Sequence, residues 1–208
     1  MNAQPKISSL SLGKSVLAFL CIWVVLTATS IRFSFLIVAF ITPIMTFEMS
    51  LLAPRYELIS LNINDNGLVS SLKASVITRK AQKHAERIFP AGIPMESSIL
   101  VSHLLQPYLL FFSMITTALI MKWRRLRDII VPSIIACIVL TICDIPIVLI
   151  AAIDDIVLNF IFVSHHKRSI LTLWMECLDG GGRLVLGIST GLFVLSMTRG
   201  FAHSSLQR

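Results

Sequence analysis

The sequence predicts an all-α polytopic membrane protein of about four transmembrane helices, with a small extracytoplasmic segment containing a β-hairpin between the first and second spans. Three observations predict it. Hydrophobic residues make up 55% of the 208-residue chain and charged residues only 14%, where soluble domains carry about 25% charged residues. The apolar residues are gathered into long runs instead of being spread at core spacing. Short basic clusters lie beside those runs, as they do in the loops flanking membrane spans. The net charge of +7 has the same cause, so no nucleic-acid partner is expected; the bilayer itself and a membrane-protein partner are.

Residues 1–14 are polar and carry Lys6 and Lys14, a cytoplasmic N-terminus. The apolar run 15–47 that follows is interrupted only by Arg32. It is too long for a signal-peptide core and no small-x-small cleavage site follows it, so it reads as a retained anchor. At 1.5 Å per residue it would reach about 50 Å across a hydrocarbon layer of roughly 30 Å, so it tilts, protrudes or breaks near Pro43.

Residues 48–98 form the main polar segment, read as extracytoplasmic. Tyr56–Ile63 and Leu68–Thr78 are rich in Ile, Leu and Val and flank Asn64-Asp65-Asn66-Gly67, an Asn-Gly hairpin signal that calls for positive φ at Gly67. Arg79–Phe89 then reads as a short basic helix. Two strands alone are marginal in water, so the hairpin needs support from the membrane surface or a protein.

The second span is 99–121, with Pro107 inside it, and the basic loop 122–128 follows. The third span is 129–153, with Pro132 and Pro146, closed by Asp154 and Asp155. Residues 154–182 read as an outer loop, although Ile156–Val163 is apolar enough to extend the third helix or lie at the interface. The fourth span, 183–199, is short and recruits Arg183 and Arg199 as snorkelling ends; residues 200–208 are the tail. Gly187-x-x-x-Gly191 permits close helix packing. Four positive charges within Lys122–Arg127 place that loop, and with it both termini, in the cytoplasm by the positive-inside rule. The setting expected is a bacterial inner membrane.

Ionisable residues inside spans mark candidate sites, because they are costly there. Arg32 lies about 25 Å and Asp144 about 22 Å from the inner face, while His103 and Gln106 enter roughly 6 and 10 Å below the outer surface. These four form a predicted intramembrane polar cluster, with Arg32 and Asp144 as its ion pair. Pro146 frees the carbonyl of Ile142, and Pro107 that of His103, which can open the helices beside the cluster. A second candidate is the loop Gly180, Gly181, Gly182 and Arg183, whose backbone amides could cradle an anion. No catalytic residue, metal site or cofactor is expected: Walker and GxGxxG spacings are absent, the pair His165-His166 matches no metal spacing, and Cys21, Cys137, Cys143 and Cys177 form no CxxC pair.

The order of anchor span, outer segment of extended character, two spans joined by a basic hinge and a last span resembles the small membrane proteins that accompany bacterial exosortases. The likeness covers Ser15–Leu140. It rests on Ala91-Gly92-Ile93-Pro94-Met95 standing where those proteins have a Gly-Leu-Pro-type entry to the second span, then on Leu100–Met121 and the hinge Lys122–Arg127. The resemblance implies an accessory role in protein sorting at the cell envelope and carries over no catalytic residues. The expected function is accordingly a non-catalytic accessory or scaffold subunit of an envelope complex for sorting, secretion or surface assembly. The alternatives are a small enzyme acting at the outer leaflet through Arg32, His103 and Asp144, and a transporter or channel subunit.

Overall fold

The computed structural model describes residues 9–32, 34–65, 70–84, 87–122, 125–161 and 169–204. Helices α1 (Ser9–Arg32) and α2 (Ser34–Leu52) lead into a sheet segment of five strands: β1 (Tyr56–Asp65), β2 (Ser70–Thr78), β3 (Gln82–His84), β4 (Arg87–Phe89) and β5 (Pro94–Leu100). Helices α3 (Val101–Ile120), α4 (Leu126–Cys143), α5 (Ile145–Ile161), α6 (Ile170–Cys177) and α7 (Arg183–Ser204) complete the chain. Among the described residues, four helical stretches are long and apolar enough to cross a membrane: Leu12–Ser30, Val101–Ile120, Leu126–Ile161 and Ile170–Thr198.

The helices α3 and α7 pack tightly because α7 presents glycines to α3. A Cβ on Gly187 would stand 2.6 Å from the carbonyl oxygen of Pro107, and one on Gly191 would stand 2.8 Å from Met114 Sδ. The Gly187-x-x-x-Gly191 pair is therefore a contact between two helices of this chain. Phe111 and Ile115 of α3, Ile129, Ala136 and Leu140 of α4 and Val194 of α7 fill the space between them. Helix α1 is largely exposed, with Leu12, Leu17, Val24 and Val25 outward, and it meets the bundle along α3.

Strands β1, β2 and β5 form an antiparallel sheet in the order β1-β2-β5, and β3 pairs with β4 in a second, two-stranded ladder. The hydrophobic pattern of β1 changes phase midway: Tyr56 and Leu58 occupy even positions, Leu61 and Ile63 odd ones. A regular strand would send one pair to each face. The register shift between Leu58 and Ser60 absorbs the change, since a bulge adds one residue to one strand. Ile59 is the extra residue and is exposed, while Tyr56, Leu58, Leu61 and Ile63 stand opposite Thr78, Val76, Ala74 and Leu72. Leu72, Ala74, Val76 and Thr78 are buried, as are Met95, Ser97 and Ile99 of β5. The sheet thus has one apolar face and one polar face, the latter carrying the Lys73–Glu96 ion pair at 2.6 Å.

What the apolar face rests on explains why so small a sheet holds. Met45 and Met49 of α2, Ala53 just after it, and Ile145, Leu149, Ile150, Ile153 and Val157 of α5 pack beneath it in two continuous clusters. The support expected from the membrane surface or a partner comes in large part from the chain itself. At 1.5 Å per residue the 36-residue stretch of α4 and α5 reaches about 54 Å, far beyond a 30 Å hydrocarbon layer, and its last turns underlie the sheet. Phe89 stacks edge-on against Phe160 with ring centroids 5.2 Å apart, and Arg87 Nη1 donates to the Phe160 carbonyl at 3.3 Å.

Several sequence expectations are corrected here. Arg79–Phe89 is not a helix; β3 and β4 pair within it, because an isolated stretch this short is marginal as a helix while Phe89 gains burial in the sheet core. Pro94–Leu100, divided in the sequence between the end of the outer segment 48–98 and the start of the span 99–121, is strand β5 and runs directly into α3. Pro43 lies within α2, so the first run does not break there. Asp154 does not end the helix: α5 continues through it to Ile161, the extension that the apolar stretch Ile156–Val163 had left open. The fourth helical stretch begins at Ile170, where Ser169 caps α6 by accepting from the Thr172 amide at 3.0 Å, so residues 170–182 are helical and not loop. The turn at Asn66-Gly67, the pair His165-His166, and Trp123 and Arg124 of the basic loop lie outside the described residues.

Candidate functional site: a buried ion pair between two helix breaks

Two helical stretches are broken, and the breaks face each other. The first lies at Asp144 (φ −110°, ψ −78°), between α4 and α5. Pro146 cannot donate an amide hydrogen and crowds the preceding turn, which disfavours an unbroken helix here. The second is a wide π-type turn over Leu178–Gly182 between α6 and α7, where Gly181 takes φ +110°, a conformation open to glycine and strained for other residues. Gly182 is required for space: a Cβ there would fall 2.6 Å from the Cys177 carbonyl oxygen.

Arg183 emerges from the second break and donates from Nε to Asp144 Oδ1 at 3.0 Å. Both side chains are removed from solvent, at 1% and 0% exposure. Arg183 Nη1 also donates to Asp179, one turn earlier and half-exposed. Among the described residues Asp144 Oδ2 accepts no hydrogen bond and Arg183 Nη2 donates none, so the guanidinium and carboxylate engage through one arm of a two-armed fork. Around them, Trp174 Nε1 donates to the Cys143 carbonyl at 2.8 Å, which satisfies one backbone acceptor at the first break. Tyr108 of α3 donates to Thr141 Oγ1 at 2.9 Å, and Thr141 in turn donates to the Cys137 carbonyl at 2.8 Å.

A further carboxylate, Glu48 of α2, is buried, and its Oε2 also takes no hydrogen bond from the described residues. Burial raises its pKa above the ordinary value of 4.5, because desolvation disfavours the charged form. The polar interior therefore comprises Glu48, Tyr108, Thr141, Asp144, Asp179 and Arg183, drawn from α2, α3 and both breaks.

The predicted cluster of Arg32, His103, Gln106 and Asp144 is not assembled as expected. The guanidinium on Asp144 is that of Arg183, not Arg32, which is exposed at the end of α1. His103 is exposed and Gln106 half-buried on α3; the α3 side chain that reaches the region of the first break is Tyr108, one turn further along. Depth along a helix can be counted from sequence, but rotation about its axis cannot, and rotation decided the partners. Gly180, Gly181, Gly182 and Arg183 do not form an open anion cradle either. The Arg183 amide is engaged inside the helical turn with the Leu178 and Gly181 carbonyls, and its guanidinium is held by two carboxylates. Asp179 and Arg183 stand at the i,i+4 spacing of a helical ion pair. That signal was available in the sequence once residues 170–186 were read as helix.

A second polar contact joins the sheet to the bundle. Asp154 of α5 is buried and accepts from Tyr56 Oη at 2.6 Å and from Arg55 Nη2 at 2.5 Å. Arg55 also lies over the Tyr56 ring at 5.2 Å from its centroid. This carboxylate is 93% buried as a side chain, yet a charge and a hydroxyl satisfy it, so it fixes the sheet on α5 at modest cost. No family model matches the chain, and neither curated proteins nor solved structures yield a match.

Proposed function

We propose that the protein is a non-catalytic accessory or scaffold subunit of a bacterial cell-envelope complex, inserted in the inner membrane with both termini cytoplasmic and serving protein sorting, secretion or surface assembly. One observation carries this reading: a sheet held from beneath by α2 and α5 leaves its polar face outward and, among the described residues, strand β1 paired on one side only. Ten residues of strand edge on a fixed base match the way extended segments of other proteins are received, by backbone pairing along an open edge. The bulge at Ile59 limits indiscriminate edge pairing, which suits a chosen partner. The basic residues Lys122, Arg125 and Arg127 support the orientation. The outer-leaflet enzyme based on Arg32, His103 and Asp144 lacks the convergence of side chains that general acid–base chemistry needs.

The test is photo-crosslinking in intact cells from an unnatural residue at Asn62 on the sheet, with Val25 on α1 as the comparison. The reading expects one dominant protein adduct from Asn62 that does not arise from Val25, together with retention of the chain in alkali-washed membranes. An Asn62 position that crosslinks to nothing, in a protein that is abundant and membrane-retained, would sink the scaffold reading. Reporter fusions after Arg208 and at Asn66 check orientation; a cytoplasmic signal from Asn66 reverses it.

A further inference from the structure

A groove of about 640 Å³ runs between α4 and α7, walled by Val131, Ile135 and Val139 on one side and Ser189, Phe193 and Met197 on the other. Ala136 and Val194, both buried, form its floor. The small Ala136 side chain creates the depression. Ser189 turns its hydroxyl back to the Val185 carbonyl at 2.6 Å, so this polar wall residue is satisfied inside its own helix and the groove is apolar in effect. From Val131 to Val139 it extends about 12 Å along the helix.

The wall of α4 does not stop at Val131. Val131, Ile135 and Val139 follow one another at four-residue spacing, and one step back on the same stripe is Arg127. Its side chain is 73% exposed, with a single long contact to Asp128 at 3.5 Å. Arg125 precedes the helix without capping it by a side chain, and its carbonyl accepts from the Asp128 amide at 3.1 Å, so the positive end of the α4 dipole lies at the same end. Lys122 lies just before. Arg127 thus continues the α4 wall at the mouth of an apolar groove, with Arg125 at the start of the helix and Lys122 shortly before it in the chain, against the one carboxylate of Asp128.

We infer that this groove is a binding site for an anionic phospholipid, with acyl chain between α4 and α7 and phosphate at Arg127, Arg125 and the start of α4. The inference rests on the membrane reading above. The chemistry divides along the groove as it does along the lipid. An apolar channel parallel to the helices accepts a chain, and clustered cations at the N-terminal end of α4 accept a phosphate diester. Charge complementarity selects the headgroup: a zwitterionic lipid brings its own cation to a site that already has a surplus. A helix from another chain would gain the apolar walls but leave the arginines without a counter-charge.

The test uses the full-length protein in mild detergent, presented with equal amounts of phosphatidylglycerol and phosphatidylcholine of identical chains, with retained lipids counted by native mass spectrometry. The expected result is at least tenfold preference for phosphatidylglycerol. That preference falls at least fivefold in the double variant Arg125→Gln, Arg127→Gln. Ile135→Trp fills the groove from an exposed wall position and lowers retention of both lipids, with an unchanged thermal midpoint as the check on folding. Equal retention of the two lipids, a preference that survives the double variant, or a lipid count unmoved by Ile135→Trp would each overturn the site. Loss of the preference on adding excess sn-glycerol 3-phosphate would assign the cations to a soluble phosphate ester and overturn it as well. A mass of two chains without lipid would replace it with a chain–chain interface. Release of the wild type from membranes at alkaline pH would remove the membrane reading and this site together, whereas membrane retention without lipid preference removes this site alone.

Discussion

Replacing Arg183 by Gln should be the most damaging single change in the polar interior, and the reason lies in how unequally its two partners are exposed. Arg183→Gln strands Asp144, whose side chain is fully buried; removing one member of a buried pair costs about 3–5 kcal/mol. Asp144→Asn is milder. Arg183 then keeps Asp179, which is half-exposed and able to relax with it, so the loss should be about 1–3 kcal/mol. Asp179→Asn removes an exposed-side i,i+4 contact and should cost about 0.3–0.5 kcal/mol. The double variant Asp144→Asn, Arg183→Gln leaves no uncompensated charge and should recover a large part of the Arg183→Gln loss. The coupling should exceed the ~0.6 kcal/mol average of ordinary interhelical hydrogen bonds in membranes. The assay is reversible unfolding in mixed micelles of mild detergent and dodecyl sulfate, followed by tryptophan fluorescence, because Trp174 is bonded to the backbone next to Asp144. Energies that simply add across the cycle, or an Arg183→Gln variant no weaker than Asp144→Asn, would refute the reasoning.

Three further outcomes are expected. Gly187→Ala should destabilise by about 1–3 kcal/mol in the same unfolding assay, since the added methyl meets the Pro107 carbonyl at 2.6 Å; a neutral effect would mean that α3 and α7 are not so close. The raised pKa of Glu48 makes its contribution to stability greatest below pH 4.5 and lost as pH rises through the higher folded value. Glu48→Gln should therefore stabilise the protein at neutral pH and flatten that part of the pH profile, and an unchanged profile would count against burial of the charge. Deleting Ile59 should leave a paired sheet, because it removes the residue that the bulge accommodates, whereas deleting Asn62 should turn Ile63 to the polar face. Protease sensitivity of the sheet segment separates the two, and equal sensitivity would contradict the register.

Apolar length and charge spacing carried much of the fold in the sequence. The stretch 99–121 contains α3 after the end of β5, 129–153 runs over α4 and α5 with their break at Asp144, 183–199 lies in α7, and the β1–β2 hairpin was marked by two Ile/Leu/Val-rich runs about Asn64-Asp65-Asn66-Gly67. Strand β5 was missed because Pro94-Met95-Glu96-Ser97-Ser98 is strand-like only in its alternation, and that alternation has meaning only once β2 and α5 stand beside it. The helical character of 170–182 was hidden by three consecutive glycines, which break a helix unless a wide turn accommodates them. With that helix missed, Arg183 was placed at a membrane end and not at the level of Asp144. The candidate site was thus half legible: Asp144 was singled out for its cost, but its partner depended on a tertiary rotation that no periodicity in one chain encodes.

The 39 residues that separate Asp144 from Arg183 also separate them in time. At about 5–20 residues per second of synthesis, a nascent chain carries Asp144 for roughly 2–8 s before its guanidinium exists. During that interval α4 and α5 hold a carboxylate that no later helix has neutralised, so in a membrane-inserted chain the third stretch would be a poor candidate for independent release into lipid. Its retention beside the insertion machinery until the Gly181 turn and Arg183 emerge would make the third and fourth stretches a single unit of biogenesis. In a chain inserted in a membrane, the ion pair would thereby couple entry of the third stretch to entry of the fourth.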